Sequence, residues 1–402
     1  MAYHVFRSPS RYIQGVGAID ILGKETAVYG KRAFLLTDDF VWGLLQEKVE
    51  RALEGFPYHY EAFTGEASLD EMVRLADAVA DVTADVVIGL GGGKIIDVAK
   101  GIAAACDLPV VIVPTTVSTD APTSAISVLY TEDGLFDHYR FYAKNPDLVL
   151  VDTQIVIQAP IRFFASGMAD ALATCAEALA TKASGENALA GGLPTIAGTA
   201  IAEACEETLF REGLSAFAAV QKGLVTPAVE AIVEANTLLS GLGFENGGLA
   251  AAHAIHNGFT AIKGEVHRLT HGEIVGFCLL VQLILEERPQ EEFKRYSRFL
   301  AEIPPQFMED YHRKSAMPQS RTTAVPGKQR VSILTKPVAS SLPKKHAVTD
   351  TFAKGDKVRH KIWGIGTVLD VIGEGPNMQM KIQFPTKGVR QVVVKYAPLE
   401  KI

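Results

Sequence analysis

"ADVVIGLGGGKIIDVAKGIAAA", residues 84–105, runs from an apolar strand through three glycines into a helix. The strand shows no polar alternation. Val86, Val87, Ile88 and Leu90 read as buried on both sides, as in an inner strand of a parallel sheet. The turn Gly91-Gly92-Gly93 removes side chains where the next helix begins. Backbone and free helix N–H groups can then approach a phosphate. The pattern is neither GxGxxG nor a P-loop, because Lys94 is followed by Ile95 rather than Ser or Thr. A tight strand-to-helix turn without a ligand is the plainer alternative.

The flanking sequence repeats this alternation. "KRAFLLTDD" (31–39) and "LPVVIVPTT" (108–116) read as strands, and "EASLDEMVRLADAVADV" (66–82) as a helix. The expectation is an α/β domain with a parallel sheet covered on both faces, binding ligands at the carboxyl ends of its strands. Asp38, at one such end, is placed to accept a hydrogen bond from a ribose or, equally, to cap the next helix. "PTTVSTDAPTSAISVLY" (114–130) is a hydroxyl-rich loop with one acid, Asp120, at its centre.

After about Ala159 the chain turns helical and Ala-rich. Asp170 sits among small residues in "ASGMADALAT", His253 and His256 share a helical face, and His271 in "RLTHGE" begins another helix. A buried Asp with two His from different helices suits Zn²⁺ with an open fourth position, a Lewis acid for a substrate oxygen. Taken singly, each has a plainer reading, as a satisfied core histidine or an Asp that caps a turn.

Composition narrows the class. The chain has 402 residues, 48% of them hydrophobic and 21% charged, which suits two to four folded domains. No apolar run approaches the roughly 20 residues that span a bilayer. The start, "MAYHVFRSPSRYIQG", lacks an apolar secretory core. The four cysteines, Cys106, Cys175, Cys205 and Cys278, form no CxxC pair, so a reducing cytoplasm is expected. The net charge of −7 hides a contrast. Residues 297–402 hold 18 Lys+Arg against 8 Asp+Glu, which leaves 21 against 38 in residues 1–296. The acidic body is a poor nucleic-acid binder and the basic tail a fair one.

Taken together, "SPSRYIQGVGAI", "FTGEAS", "VIGLGGGKIIDVAK", "VPTTVSTDAPTSAISVLY", "NPDLVLVDTQI", "ASGMADALAT", "GLGFENGGLAAAHAIHNGFTA" and "LTHGE" resemble the glycerol dehydrogenases of the iron-containing (group III) alcohol dehydrogenase family. The resemblance runs from about Tyr3 to about Tyr296. It implies the dehydroquinate synthase-like fold: an NAD-binding α/β domain (1–158), a helical metal and substrate domain (159–296), and a site in the cleft between them. Asp170, His253 and His271 match the family's metal ligands. Many iron-type relatives carry a further His where Thr174 stands here, which points to zinc over iron. Gly91, Gly92, Gly93, Lys94, Asp97, Thr115, Thr116, Ser118, Ser124, Ile126 and Tyr130 match NAD contacts, Asp38 the adenosine-ribose contact, and Asp120 the residue that holds the polyol. The implied reaction is oxidation of glycerol to dihydroxyacetone, with zinc lowering the pKa of the C2 hydroxyl and hydride passing to C4 of the nicotinamide. Relatives form large homo-oligomers.

"SRFLAEIPPQFMEDY", from Ser297, instead resembles the segment after the last motor motif of UvrD/PcrA-type helicases. Residues 297–350 read as a basic, flexible linker. Residues 351–402 hold four or five short β-rich runs between Gly, Pro and Asn turns, as in a small SH3/Tudor-like barrel. "GDKVRHKIWGIGTV" and "KYAPLEKI" carry the helicase-tail resemblance, which implies binding to RNA polymerase or contact with nucleic acid. No GxxxxGK[ST] motor loop occurs. The chain reads as two proteins joined near Ser297. Without the family's later helices, an apolar face of "IVGFCLLVQLILEE" (274–287) is expected to lie open. The alternative to a working dehydrogenase is then an inactive fusion whose tail does the binding.

Overall fold

The segment Tyr12–Asp152 of the computed structural model supplies β1 (Tyr12–Gly15), β2 (Ala33–Thr37), β3 (Tyr58–Ala62), β4 (Val86–Gly91), β5 (Val110–Pro114), β6 (Ile126–Tyr130), β7 (Phe136–Phe141) and β8 (Leu148–Asp152). Six of these form a parallel sheet in the order β1-β8-β5-β4-β2-β3, while β6 and β7 pair as an antiparallel ribbon. The structure describes residues 3–132, 134–262, 264–303, 352–360, 364–372, 379–385, 388–393 and 399–401. These fall into two units, one reaching Ile303 and the other starting at Phe352.

The uninterrupted apolar strands explain the layers. Phe34, Leu36, Val87, Ile112, Val149 and Val151 enter one core, and the intervening Leu35, Ile88, Leu90, Val111, Leu148 and Leu150 enter another on the opposite face. Short α1 (Leu22–Thr26) and α2 (Asp39–Ala52) cover the second face, with Val41, Leu45 and Val49 turned inward. The first is covered by α3 (Leu69–Asp81) and α4 (Gly93–Cys106). Ser68 caps α3 by accepting from Glu71 N at 3.3 Å, Asp70 and Glu71 suit its positive end, and Met72, Leu75 and Val79 form the buried stripe. Two residues past its end, Thr83 turns the chain away in the left-handed region at φ 53°. Strand order reverses between β2 and β4. Asp38 and the glycine turn therefore flank one crevice at the carboxyl edge of the sheet.

After the single turn α5 (Thr153–Val156), the helices α6 (Ile161–Ser184), α7 (Ile196–Val220), α8 (Pro227–Glu234), α9 (Ser240–Gly247), α10 (Ala251–Phe259), α11 (His271–Leu285) and α12 (Gln290–Glu302) complete the first unit. A π-helical turn (Ala235–Leu239) links α8 to α9. Alanine lets neighbours close around α6, which is buried on nearly every side from Phe164 to Ala178. Its core is continuous with that of the sheet face.

The reading that a linker starts at Ser297 needs correction. α12 runs through Ser297, and Phe299, Leu300 and Ile303 join the core of the first unit. Phe210 of α7 stacks edge-on with both Tyr296 and Phe299, Arg295 lies over its ring, and the Tyr296 hydroxyl donates to Glu206. An amphipathic helix is selected by what it packs against, and composition does not mark where that packing stops. The rest of the expected linker lies outside the described residues. On α11 the expected open face is partial. Phe277, Ile284 and Leu285 are 53%, 63% and 66% exposed, whereas Val275, Cys278, Leu279 and Leu283 are buried.

The second unit is an antiparallel sheet of β9 (Lys357–His360), β10 (Gly364–Ile372), β11 (Gln379–Phe384), β12 (Gly388–Val393) and β13 (Leu399–Lys401), ordered β12-β11-β10-β9-β13. Phe352, Val358, Val368, Met380, Ile382 and Phe384 form its core.

Phe299→Ala removes a buried ring and is expected to cost about 3–5 kcal/mol, read from urea denaturation by circular dichroism. An unchanged midpoint would show that α12 is not part of the core.

Candidate metal and cofactor site

Asp170 lies midway along α6 and is 1% exposed. His253 projects from α10 and His271 from the first position of α11. The start of α11 is fixed by a capping box: Glu273 N donates to Thr270 Oγ1 at 3.4 Å, and Thr270 N donates to Glu273 Oε2 at 2.7 Å. Arg162 of α6 grips the same Glu273 through Nε at 2.8 Å and Nη2 at 2.7 Å. Gly272 allows the contact, since a Cβ there would lie 1.9 Å from Ser166 O.

Asp170 Oδ1 faces His271 Nε2 at 3.2 Å and His253 Nε2 at 3.6 Å. Neither carboxylate oxygen receives a hydrogen bond. A carboxylate so buried is costly unless a positive charge meets it. A tetrahedral ion about 2.1 Å from each ligand sets ligand–ligand edges of about 3.4 Å, and the two observed separations bracket that value. Burial would raise the Asp170 carboxyl, but the imidazoles, His271 foremost, hold it below the usual carboxylate range. Burial would lower His253, but the charges of Glu177 and Asp170 hold it well above the ordinary histidine range. The three side chains bring one ligand atom each within 4.8 Å of the others, so together they could hold a metal ion.

The outer ring nitrogens are also engaged. His253 Nδ1 donates to Glu177 Oε2 at 2.5 Å. His256 Nδ1 donates to Asn257 Oδ1 at 3.2 Å, so His256 Nε2 is the acceptor for His271 Nδ1 at 3.0 Å. Asn257 Nδ2 in turn donates to Tyr139 OH at 2.9 Å. Burial, then the neighbouring His271, pushes His256 down to about 3, which suits that accepting role. Both His253 and His271 thus present Nε2 to Asp170.

These groups open on a pocket of about 230 Å³ lined by Gly93, Lys94, Asp97, Asp120, Ser124, Ile126, Tyr130, His253 and His271 among the expected residues. The volume suits a small substrate with the reactive end of a cofactor, being below the roughly 300–1,000 Å³ of drug-sized sites. Asp120 Oδ2 accepts from Ser240 Oγ at 2.8 Å, and Ser240 Oγ pairs with Thr174 Oγ1 at 2.8 Å. Burial, then the charge of Asp170, pushes Asp120 up to about 7. Thr174 therefore braces the Asp120 side chain.

The glycines divide by role. A Cβ on Gly91 would collide with Ile95 at 2.4 Å, so packing alone accounts for that glycine. Gly92 and Gly93 face open space bounded by Thr116 Oγ1 and Thr119 Oγ1 of the hydroxyl-rich loop. α4 starts beside that space, with no side-chain cap hydrogen bond at Gly92. Thr115 N bonds back to Gly91 O at 3.0 Å, and Thr116 Oγ1 and Ser118 Oγ lie 3.2 Å apart. Lys94 Nζ meets Glu66 Oε1 at 2.6 Å. Asp97 is held by Lys100 Nζ at 2.9 Å and Val128 N at 3.0 Å. Asp38 caps α2, accepting from Val41 N at 2.8 Å. Glu177, Ser240, Asn257, Tyr139, Phe244 and Leu249 escaped sequence reading. Glu177 alone carried a signal, standing seven residues after Asp170 on the same helical face.

A parallel sheet with a glycine turn at its switch point, set beside helices that gather one Asp and two His around a cleft, defines a metal-dependent dinucleotide oxidoreductase. Residues 9–153 match the iron-containing alcohol dehydrogenase family, and residues 355–401 match the PcrA/UvrD tudor domain. The chain is 48% identical over 302 residues to glycerol dehydrogenase 1 of Schizosaccharomyces pombe, covering 74% of this chain and 66% of that protein. It is 48% identical over 296 residues to the glycerol dehydrogenase of Thermotoga maritima, covering 73% and 81%. The crystal structure of the Schizosaccharomyces pombe glycerol dehydrogenase superposes with a TM-score of 0.72 at 45% identity, covering 75% of this chain and 77% of that one. The chain belongs to the glycerol dehydrogenase group of the iron-containing alcohol dehydrogenase family.

Lys100→Met leaves the Asp97 charge buried without its partner, and Lys100 Nζ also donates to the backbone oxygens of Ala121 and Ile126. A loss of about 3–5 kcal/mol is expected, measured by chemical denaturation. A change below about 1 kcal/mol, typical of an exposed ion pair, would contradict the buried pairing.

Proposed function

We propose that the chain oxidises glycerol to dihydroxyacetone with NAD⁺, using a divalent metal, zinc rather than iron, held by Asp170, His253 and His271. The observation that carries this reading is the orphaned Asp170 carboxylate facing two Nε2 atoms at the end of the cleft that holds the glycine turn. The bound metal supplies Lewis-acid polarisation of a hydroxyl, and the nicotinamide supplies the hydride acceptor. The protein's own groups position the substrate. Ser240 occupies Asp120 Oδ2, which leaves Oδ1 to accept from a polyol hydroxyl. Phe244 and Leu249 line the same pocket and exclude water.

For the cofactor, Gly92 and Gly93 with the start of α4 cradle the pyrophosphate. Gly91 shapes the turn, Lys94 and Asp97 flank it, and Asp38 meets the adenosine ribose. Thr115, Thr116, Ser118, Ser124, Ile126 and Tyr130 form the opposite wall. Asp97 acts through the loop it anchors, since Lys100 and Val128 take its oxygens. Among the described residues no helix is long and apolar enough to cross a membrane. A cytoplasmic homo-oligomer fits this reading.

A second reading rests on the tudor match at residues 355–401. In it the C-terminal unit is a docking module for RNA polymerase or nucleic acid, and the body is inactive.

The test is NADH formation by purified full-length protein with glycerol, NAD⁺ and Zn²⁺, against a chelator-treated control. Metal-dependent turnover is expected. Asp170→Ala and His271→Ala should each lower it by more than about 100-fold, beyond the cost of losing an outer partner. Wild-type rates in both variants would overturn the metal assignment. No turnover from folded protein would favour the second reading.

A further inference from the structure

We infer that Glu177 is a positioning residue that sets the tautomer of His253 and thereby the metal affinity of the site. The inference rests on the metal reading above. Glu177 lies on α6 one helical face along from Asp170 and is fully buried. Among the described residues no Lys or Arg pairs with it; a glutamate so buried needs a reason, and its contacts supply one.

Oε1 accepts from Ala250 N at 2.8 Å and His253 N at 3.0 Å. Ala250 is the N-cap of α10 and has no side chain able to cap it. Glu177 supplies that cap from a neighbouring helix. Oε2 takes His253 Nδ1 at 2.5 Å. One carboxylate thus fixes both the backbone position of His253 and the hydrogen on its outer nitrogen. That hydrogen bond leaves Nε2 as the ligating atom, facing Asp170.

Glu177→Gln separates the two tasks. The amide oxygen can keep the two backbone donors, but the NH₂ group then faces His253 Nδ1. Nδ1 must become the acceptor, and the ring hydrogen moves to Nε2, where a metal would bind. Turning the amide over restores Nδ1 donation but sets NH₂ against two backbone N–H groups, so neither orientation serves both.

The experiment is zinc affinity of the full chain by competition with a chromophoric chelator, for wild type, Glu177→Gln, His253→Ala and the double variant. Glu177→Gln should bind zinc about 10–100-fold more weakly. It should add no further loss in the His253→Ala background, because it acts through that ring. Equal affinity of Glu177→Gln and wild type would overturn the inference, as would the same fold-loss in both backgrounds. If Glu177→Gln does not fold, Glu177→Asp, with the carboxylate withdrawn by one methylene, is measured in the same way. Weakened zinc binding is expected, and wild-type affinity would overturn the inference. If the wild type itself binds no zinc, the metal reading fails, a result distinct from either of these.

Discussion

The structure depends on one electrostatic constraint: a carboxylate, Asp170, buried in an Ala-rich helix and facing two imidazoles without receiving a hydrogen bond. An isolated buried charge costs more than a domain's whole margin of stability, which is about 5–15 kcal/mol. The surrounding helices are arranged to answer it. α10 and α11 bring His253 and His271 to the same point, and the outer nitrogens of both rings are spent on Glu177 and His256. The capping box at Thr270 and the Arg162 clamp on Glu273 fix where α11 begins. Since His271 is the first residue of that helix, its position follows from the cap.

The sheet contributes the other half of the cleft. Its strand order reverses between β2 and β4, which opens a crevice beside the glycine turn. The hydroxyl-rich loop closes over that turn and is tied down from both sides. Asp97 and Lys100 hold it from the sheet domain. From the helical domain, Asn236 in the π-helical turn donates to Val117 O at 3.2 Å. Asp120 sits between, braced by Ser240 and Thr174. One continuous apolar core runs beneath both halves, so the two walls of the cleft are parts of a single packed body.

Much of this was legible in the sequence because it rests on residue type and period. Apolar strands with no alternation marked the inner sheet, and an Asp among small residues with His on separate helices marked three side chains that the fold brings together. What escaped depends on tertiary contact. Glu177 looks like any polar residue of an Ala-rich helix until its helical phase with Asp170 is noticed. His256 shares a face with His253, yet only the fold shows that it serves His271. Of the two readings of Asp38, the structure shows the cap, made through Oδ1 to Val41 N. At Ser297 composition changes but packing does not, because Phe299 meets Phe210 of α7 and Leu300 and Ile303 join the same core.

X-ray absorption at the zinc edge of the full-length, zinc-loaded protein reads the Asp170 cluster itself. One zinc per chain is expected, with two imidazoles and only nitrogen and oxygen donors at about 2.0–2.2 Å, and that signature should be lost in Asp170→Ala. Sulfur at about 2.3 Å, a single imidazole, or an unchanged spectrum in Asp170→Ala would contradict it.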